Sequence, residues 1–560
     1  MRRKNHFIYF FIALIVLVAG ITSCKKFLDV NKNLNDPTAV PVSLLLSKCE
    51  RDIAANIALG SGLGSTMSIY THQTTGRVGA DRYGAGSAGW DGLYGAIANL
   101  DVIITQGTAE TRFTYAGIAK ILKAYAFSIL VDVYGDVPYS EFDQFESGIT
   151  QPKFDKGSDI YPKLIALIDE GINDINNTAP NASKPSSDDF IYKGNTTNWK
   201  KAANTIKLKL YTQVRRVQDV KAAVTALLAT PANLINAQAE NFMMPYGPFG
   251  TTDDRHPAYG DYTATQRGGQ LFSPWMYEIM KGRNANILNG IADPRIPYYI
   301  YNQKSAPGGS NPTPENCTEF RDGGFITIFF GSNGNCRDGS NSNTYSLLGL
   351  YPAGGRFNDS SAIAINTITA QKAGTGALPH QFITYADRLF LEAELINAGV
   401  ITGDQKTVFS KALDESFAQM DYIITNFIKP GSAGSPQTVP AIATLAATTT
   451  YKTAVLAAFD AGTTAKKLEY IMTEKWINRI ENPVDSYTDY RRTGYPVMFA
   501  PAPAGTVTTV SDYSNPVKIT PVQCDRPYPL SLPFSTDEIS RNTNAPPQKV
   551  PETYKVFWQP

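Results

Sequence analysis

The chain has 560 residues, and 51 Lys and Arg stand against 50 Asp and Glu, a formal net charge of +1 with only 18% charged residues. So even a balance argues against a nucleic-acid partner, because such domains carry a clear basic excess. The length allows one large domain or two ordinary ones, and 30 Tyr with 27 Phe beside 44 Gly and 35 Pro suit a loop-rich exported protein with stacking surfaces.

The first elements concern export. Arg2, Arg3 and Lys4 precede an apolar run from Phe7 to Ala19, and Gly20 to Ser23 lead into Cys24. That is the layout of a secretory signal peptide, too short for the ~20 apolar residues of a spanning helix. Cys24 after small residues resembles the lipobox of bacterial lipoproteins, which implies removal of residues 1–23 and lipid (palmitate among the acyl groups) on Cys24. Residues 24–40 then read as a polar, Asn-rich tether, with a turn at Asp36-Pro37.

The folded body is expected over 41–560 as one domain. Ser43 is read as the cap of a helix burying Leu46, Cys49, Ile53 and Ile57, and Met67 to Tyr70 as a short helix in a Gly/Ser/Tyr-rich region. Trp90 opens a second long helix with Leu93, Ile97, Leu100 and Ile104 inward. Tyr115 to Tyr134 is the strongest pattern, stopped by Gly135 and the turn Asp136-Val137-Pro138. A further helix starts near Asp155 or Ser158, and another after a cap at Asn198. On the latter, Lys200, Lys201, Lys207, Lys209, Arg215 and Arg216 read as a solvated face. Residues 237–376 lose helical periodicity and form a loop-rich insertion with one strand, Phe325 to Phe330. Helices resume at 382–398, 404–427 and 465–480, and the tail from Glu481 reads as Pro-rich turns. The fold class is therefore mostly α. Helix pairs joined by short turns suit a right-handed scaffold of tetratricopeptide type, with a large loop-rich region carrying little strand.

Catalytic and cofactor motifs are sparse. Gly84 to Gly89 matches G-x-G-x-x-G, but no apolar strand precedes it, so it reads as a flexible loop and no cofactor is expected. His72, His256 and His380 fall in no H-E-x-x-H, and no G-x-S-x-G elbow is present. Glu392, Glu394 and Glu474 read as structural or solvated. A glycosidase pair leaves no local signature, because folding brings its two acids together, so a surface glycoside hydrolase stays open. Asp338 in the loop 333–343 lacks EF-hand spacing, and no metal site is assigned. Cys317 and Cys336 flank that Gly/Asn-rich loop and are candidates for a local disulfide.

The informative cluster is aromatic. Phe242 to Tyr262 alternates rings with Asp, Arg and His on Gly/Pro-rich loops, and Phe272 and Trp275 follow. Sugars stack their CH faces on rings and pair their hydroxyls with planar donors and acceptors. Tyr246, Phe249, Tyr259, Tyr262 and Trp275 are therefore the candidate stacking residues, with Asp253, Arg255 and His256 bonding hydroxyls. A few rings at about 1 kcal/mol each plus hydrogen bonds give micromolar-to-millimolar binding, which suits capture followed by release.

Several stretches in order resemble the SusD/RagB outer-membrane nutrient-binding lipoproteins. They are Cys24 to Val30 with Asn35-Asp36-Pro37-Thr38, then Trp90, Leu93, Tyr94, Ile97 and Asn99, then Val133-Tyr134-Gly135-Asp136-Val137-Pro138-Tyr139. Asn198-Trp199 with Ala203-Asn204, Asp293-Pro294-Arg295, and Thr384-Tyr385-Ala386 with Ala393-Glu394 follow. Glu474-Lys475-Trp476, Asp489 to Pro496 and Pro527-Tyr528-Pro529-Leu530 complete the series. The resemblance implies a tetratricopeptide-like helical body and 237–376 as the ligand-face insertion. It also implies a lipid anchor on the outer face of the outer membrane and a SusC-like TonB-dependent transporter as partner. The cargo would be oligosaccharide, with peptide as the alternative, and the role would be binding, not catalysis. The family's aromatic arc varies, so it assigns no ligand residue here, and Trp90 matches a packing position.

Overall fold

The computed structural model describes residues 40–76, 83, 84, 86–248, 253–263, 269–305, 319–328, 330, 344–365, 374–429, 437–498, 508, 509, 521, 522 and 527–560. The signal and most of the tether, including Cys24, lie outside these residues, as do Phe249, Asp338, Cys317 and Cys336. Among the described residues no helix is long and apolar enough to cross a membrane.

The architecture is mostly α. The first half is built from α1 (Val42–Ile57), α2 (Gly62–Tyr70), α3 (Trp90–Ala109), α4 (Phe113–Tyr134), α5 (Gly157–Ile175), α6 (Thr196–Val214) and α7 (Lys221–Leu228). After the irregular stretch come α8 (Pro274–Met280), α9 (Tyr385–Asn397), α10 (Gln405–Ile423), α11 (Ala446–Asp460), α12 (Thr464–Asn478) and α13 (Pro483–Thr493). Neighbours in sequence pack as pairs: α3 on α4, α4 on α5, α9 on α10, and α11 on α12. Short links, such as residues 110–112 and 461–463, force consecutive helices to double back on each other.

Sequence periodicity locates most of these helices, and local chemistry sets their ends. α4 buries nearly all of its residues, being apolar on every side. Gly135 takes φ +86° after it and donates to Val131, a conformation an L side chain rarely adopts. Cys49 is buried in α1, where burial pushes its thiol up to about 12 and leaves it inert.

Four expectations about helix boundaries are corrected. α1 begins at Val42 after Pro41, so Ser43 lies inside its first turn. Asn195, not Asn198, caps α6, its side chain accepting from the amides of Thr197 and Asn198 at 3.1 Å. The segment from His380 to Ile383 is a strand, and α9 starts only after Thr384, which forms a reciprocal capping box with Asp387. The tail after Glu481 is not all turns: Asn482 caps α13, Pro483 occupies its first turn, and Gly494 ends it at φ +79°. Pro at that position reads as a break in sequence but starts a helix well, because its missing N–H would be unpaired there anyway. α11 was not anticipated either.

Strands are few and short. β1 (Phe242–Met244) pairs antiparallel with β4 (His380–Ile383), Met244 opposite His380, with an irregularity between Gln381 and Ile383. β2 (Glu319–Asp322) and β3 (Phe325–Ile328) form a hairpin. The expected strand at 325–330 is therefore present over 325–328.

Two of the six basic residues expected on a solvated face, Lys209 and Arg215, are interior instead, while Arg216 is exposed and Lys200, Lys201 and Lys207 are part-exposed. Lys209 pairs with Asp485 at 2.5 Å and Arg215 with Glu394 at 2.8 Å, all four buried. Arg492 joins Glu394 to Asp489, Arg479 joins Asp387 to Asp485, and Lys475 pairs with Asp489 at 2.8 Å. A second buried centre holds Arg295 between Asp293 at 2.6 Å and Glu474 at 2.7 Å, with Tyr451 donating to Glu474. Charges this deep persist only when paired and hydrogen-bonded. Glu394 and Glu474 are structural, and Glu392 pairs with Arg388 at 2.8 Å on the rim.

Candidate ligand-binding face

The aromatic segment is tied to the scaffold by β1 and by two backbone bonds beyond it. The Gly247 amide donates to Asp254 at 2.9 Å, and the His256 amide to Gly376 at 2.8 Å. Pro257 fixes φ at the start of the turn that follows, and His256 caps that turn by accepting from the Ala258 amide at 3.2 Å.

The rings assemble as a packed cluster. Tyr246 stands edge-on to His256 at 5.2 Å, and Tyr259 lies parallel to Tyr262 with centroids 5.0 Å apart. Two glycines admit that stack. A Cβ on Gly355 would fall 2.1 Å from the Tyr262 ring, and one on Gly376 would fall 2.9 Å from the Tyr259 ring. The hydroxyl of Tyr259 donates to Gly374 at 3.0 Å. That of Tyr262 donates to Leu348 at 2.7 Å and accepts from the Arg356 amide at 3.1 Å. Burial pushes the hydroxyls of Tyr246 and Tyr262 well above the ordinary phenol range and that of Tyr259 up to about 12, so all three stay protonated.

The candidate stacking rings among the described residues are buried in this structure. Tyr246, Tyr259, Tyr262 and Trp275 are exposed by only 4–8%, and His256 by 1%, so none presents a free face. Trp275 sits in the first turn of α8, where Ser273 caps the helix and its own amide donates to Gln73. Their burial follows from composition: short irregular loops cannot form a core of their own, so their large rings supply it. Trp90 likewise packs, edge-on to Tyr134 at 4.8 Å.

Asp253 and Arg255 do reach the surface. Asp253 is 64% exposed on its side chain and Arg255 23%. The guanidinium forks onto the carboxylate at 2.6 and 2.7 Å, which holds the Asp253 carboxyl below its usual range, and it lies 5.4 Å over the Tyr259 ring. The structure therefore brings Tyr246, Asp253, Arg255, His256, Tyr259 and Tyr262 together, the first charged pair outermost and the rings beneath. Among the described residues Phe145, 73% exposed on a short turn, is the one aromatic chiefly in solvent, and the sequence pattern did not single it out.

Residues 34–512 match the family described as "SusD-like: Starch-binding associating with outer membrane". The chain belongs to the SusD-like family. No curated protein matches it by sequence. Among solved structures, a SusD/RagB family protein from Bacteroides thetaiotaomicron superposes with a TM-score of 0.64 at 17% identity, covering 93% of this chain and 99% of that one. A SusD homologue from Bacteroides fragilis gives 0.60 at 20% identity, covering 90% and 94%. A chitin-binding SusD homologue from Flavobacterium johnsoniae gives 0.60 at 17% identity, covering 92% and 98%. The SusD-like helical fold thus extends over nearly the whole described chain, and the paired helices seen here are its scaffold.

Proposed function

We propose that this SusD-like protein binds an oligosaccharide at the cell surface and passes it to a SusC-like TonB-dependent outer-membrane transporter. It acts as a binding protein and not as an enzyme, held to the outer face of the outer membrane by lipid on Cys24. The observation that carries the reading is the match over residues 34–512 to a family described by starch binding and outer-membrane association. The chitin-binding relative of the same fold favours glycan over peptide as cargo.

On the described face, Arg255 and Asp253 offer planar donors and acceptors to sugar hydroxyls. Tyr246, His256, Tyr259 and Tyr262 act one layer below, fixing the loops that carry them. Phe249 and Trp275 stay in the ligand set on sequence alone. A glycan array followed by affinity electrophoresis tests the assignment. The expected result is retention by one glycan class with weak affinity, reduced by alanine at Asp253 and Arg255. A blank array with peptides retained would replace the cargo, and reducing ends released by the pure protein would replace the role.

A further inference from the structure

His256, His380 and Glu481 come from three segments far apart in sequence. They are the turn after the aromatic loop, the first residue of β4, and the residue before the Asn482 cap of α13. Their exposures are 1%, 0% and 1%, and one ligand atom from each lies within 4.8 Å of the other two. His256 Nε2 stands 3.7 Å from Glu481 Oε1, beyond hydrogen-bonding distance. His256 Nε2 and Glu481 Oε1 have no hydrogen-bond partner, and the ring nitrogens of His380 have none of good geometry, though the Glu481 backbone lies near enough to favour its protonated form. Buried polar atoms without partners are rare in folded proteins, and several converging on one point call for a species that engages them together.

We propose that His256, His380 and Glu481 form a buried site for one divalent transition-metal ion, with zinc the best match. Two imidazoles and a carboxylate are a donor set zinc takes readily, leaving a fourth position for water. Calcium is a poor match, because it seeks six or more oxygens. Zinc bonds of about 2.0–2.2 Å set ligand atoms roughly 3.4 Å apart, so the three side chains would draw in by up to about 1.5 Å.

The protonation states agree with this geometry. Burial holds the His256 imidazole down at about 3 and His380 well below its usual value, so both rings are neutral, the form that binds metal. Burial raises the Glu481 carboxyl well above the carboxylate range, so a cation bound there competes with its proton. The Ala258 amide donates to His256 Nδ1 at 3.2 Å, which puts the ring proton on Nε2 in the metal-free protein. Ligation through Nε2 moves that proton to Nδ1 and exchanges one long hydrogen bond for a metal bond. Glu481 already has an orienting partner, the Gln381 amide at 3.4 Å on its other oxygen.

Such an ion would staple the loop carrying the Asp253–Arg255 pair to β4 and to the start of α13. The site stands whether or not the cargo is a glycan, since none of its donors reaches the surface. The test uses the mature chain without a histidine tag, stripped with chelator during a mild loosening of the fold and then titrated with Co(II) and Zn(II). The expected result is one ion per chain and visible cobalt d–d bands of low coordination number, with a raised melting temperature. His380→Gln and Glu481→Gln should weaken uptake by more than about 100-fold, beyond the loss typical of an outer-shell partner. Glu481→Gln is nearly isosteric and removes a buried acid, so it tests the site even if the histidine variant folds poorly. Wild-type protein that takes up no cobalt would overturn the proposal and leave the cluster to an interior water. Uptake unchanged in a folded Glu481→Gln variant would place the ion elsewhere and overturn it equally.

Discussion

A Cβ on Gly117 would stand 2.5 Å from the carbonyl oxygen of Gly171, and one on Gly171 would stand 2.7 Å from that of Gly117. Helices α4 and α5 therefore meet backbone to backbone at this crossing, and the first half of the scaffold is set by two missing methyl groups. Gly117→Ala should push the helices apart and cost about 1–3 kcal/mol as overpacking does. Gly95→Ala, on an exposed part of α3 with nothing near its added methyl, should instead stabilise by roughly 0.5–1 kcal/mol. Urea unfolding of both variants checks the pair; equal signs would contradict the close approach.

Arg295 should be among the costliest side chains to remove. Arg295→Met leaves Asp293 and Glu474 buried without their cation, at about 3–5 kcal/mol. Combining it with Glu474→Gln should recover part of that loss, because the two changes share one network. A double-mutant cycle read by chemical denaturation measures the recovery; simple additivity would show that the charges are not coupled.

Tyr262→Phe keeps the ring in its stack but strips the acceptor from the buried Arg356 amide and the donor from Leu348. A loss of roughly 1–3 kcal/mol is expected for the orphaned amide. Hydrogen exchange should rise first at residues 350–356, and exchange that rises elsewhere would detach the ring from that loop.

His72 makes stability depend on acid. It is fully buried and burial alone holds its imidazole down at about 3, against 6.5 in a free chain. The unfolded state therefore binds the extra proton first, and this contribution, present above pH 6.5, is lost as pH falls toward 3. The slope approaches 1.4 kcal/mol per pH unit for one group. Urea midpoints from pH 7 to 4 should fall less steeply in His72→Gln than in the parent, and parallel curves would disprove the assignment.

Cys24→Ala should leave the unfolding midpoint unchanged while moving the protein from the membrane fraction to a soluble one. Fractionation with metabolic acyl labelling reads both. A variant that stayed on the cell surface without lipid would remove the anchor from the proposed function.

By itself, the sequence determined the class and the order of parts. The 3.6-residue spacing of Ile118, Ile121, Leu122, Tyr125 and Ile129 declares α4, and Gly135 closes it, because periodicity and capping are local properties that neighbours within one turn decide. Only the tertiary structure decided which polar residues are interior. Lys209 lies on α6 and Arg215 at its end, beside the part-exposed Lys200, Lys201 and Lys207, and what buries them is the arrival of Asp485 and Glu394 from the distant second half. The same holds at the candidate face. Rings alternating with Asp, Arg and His read alike whether they meet solvent or close a core. The contacts of Tyr259 and Tyr262 with Gly376 and Gly355 put them inside and left Asp253 and Arg255 outside. His256, His380 and Glu481 carry no shared spacing at all, since three remote segments must fold before their donor atoms can meet.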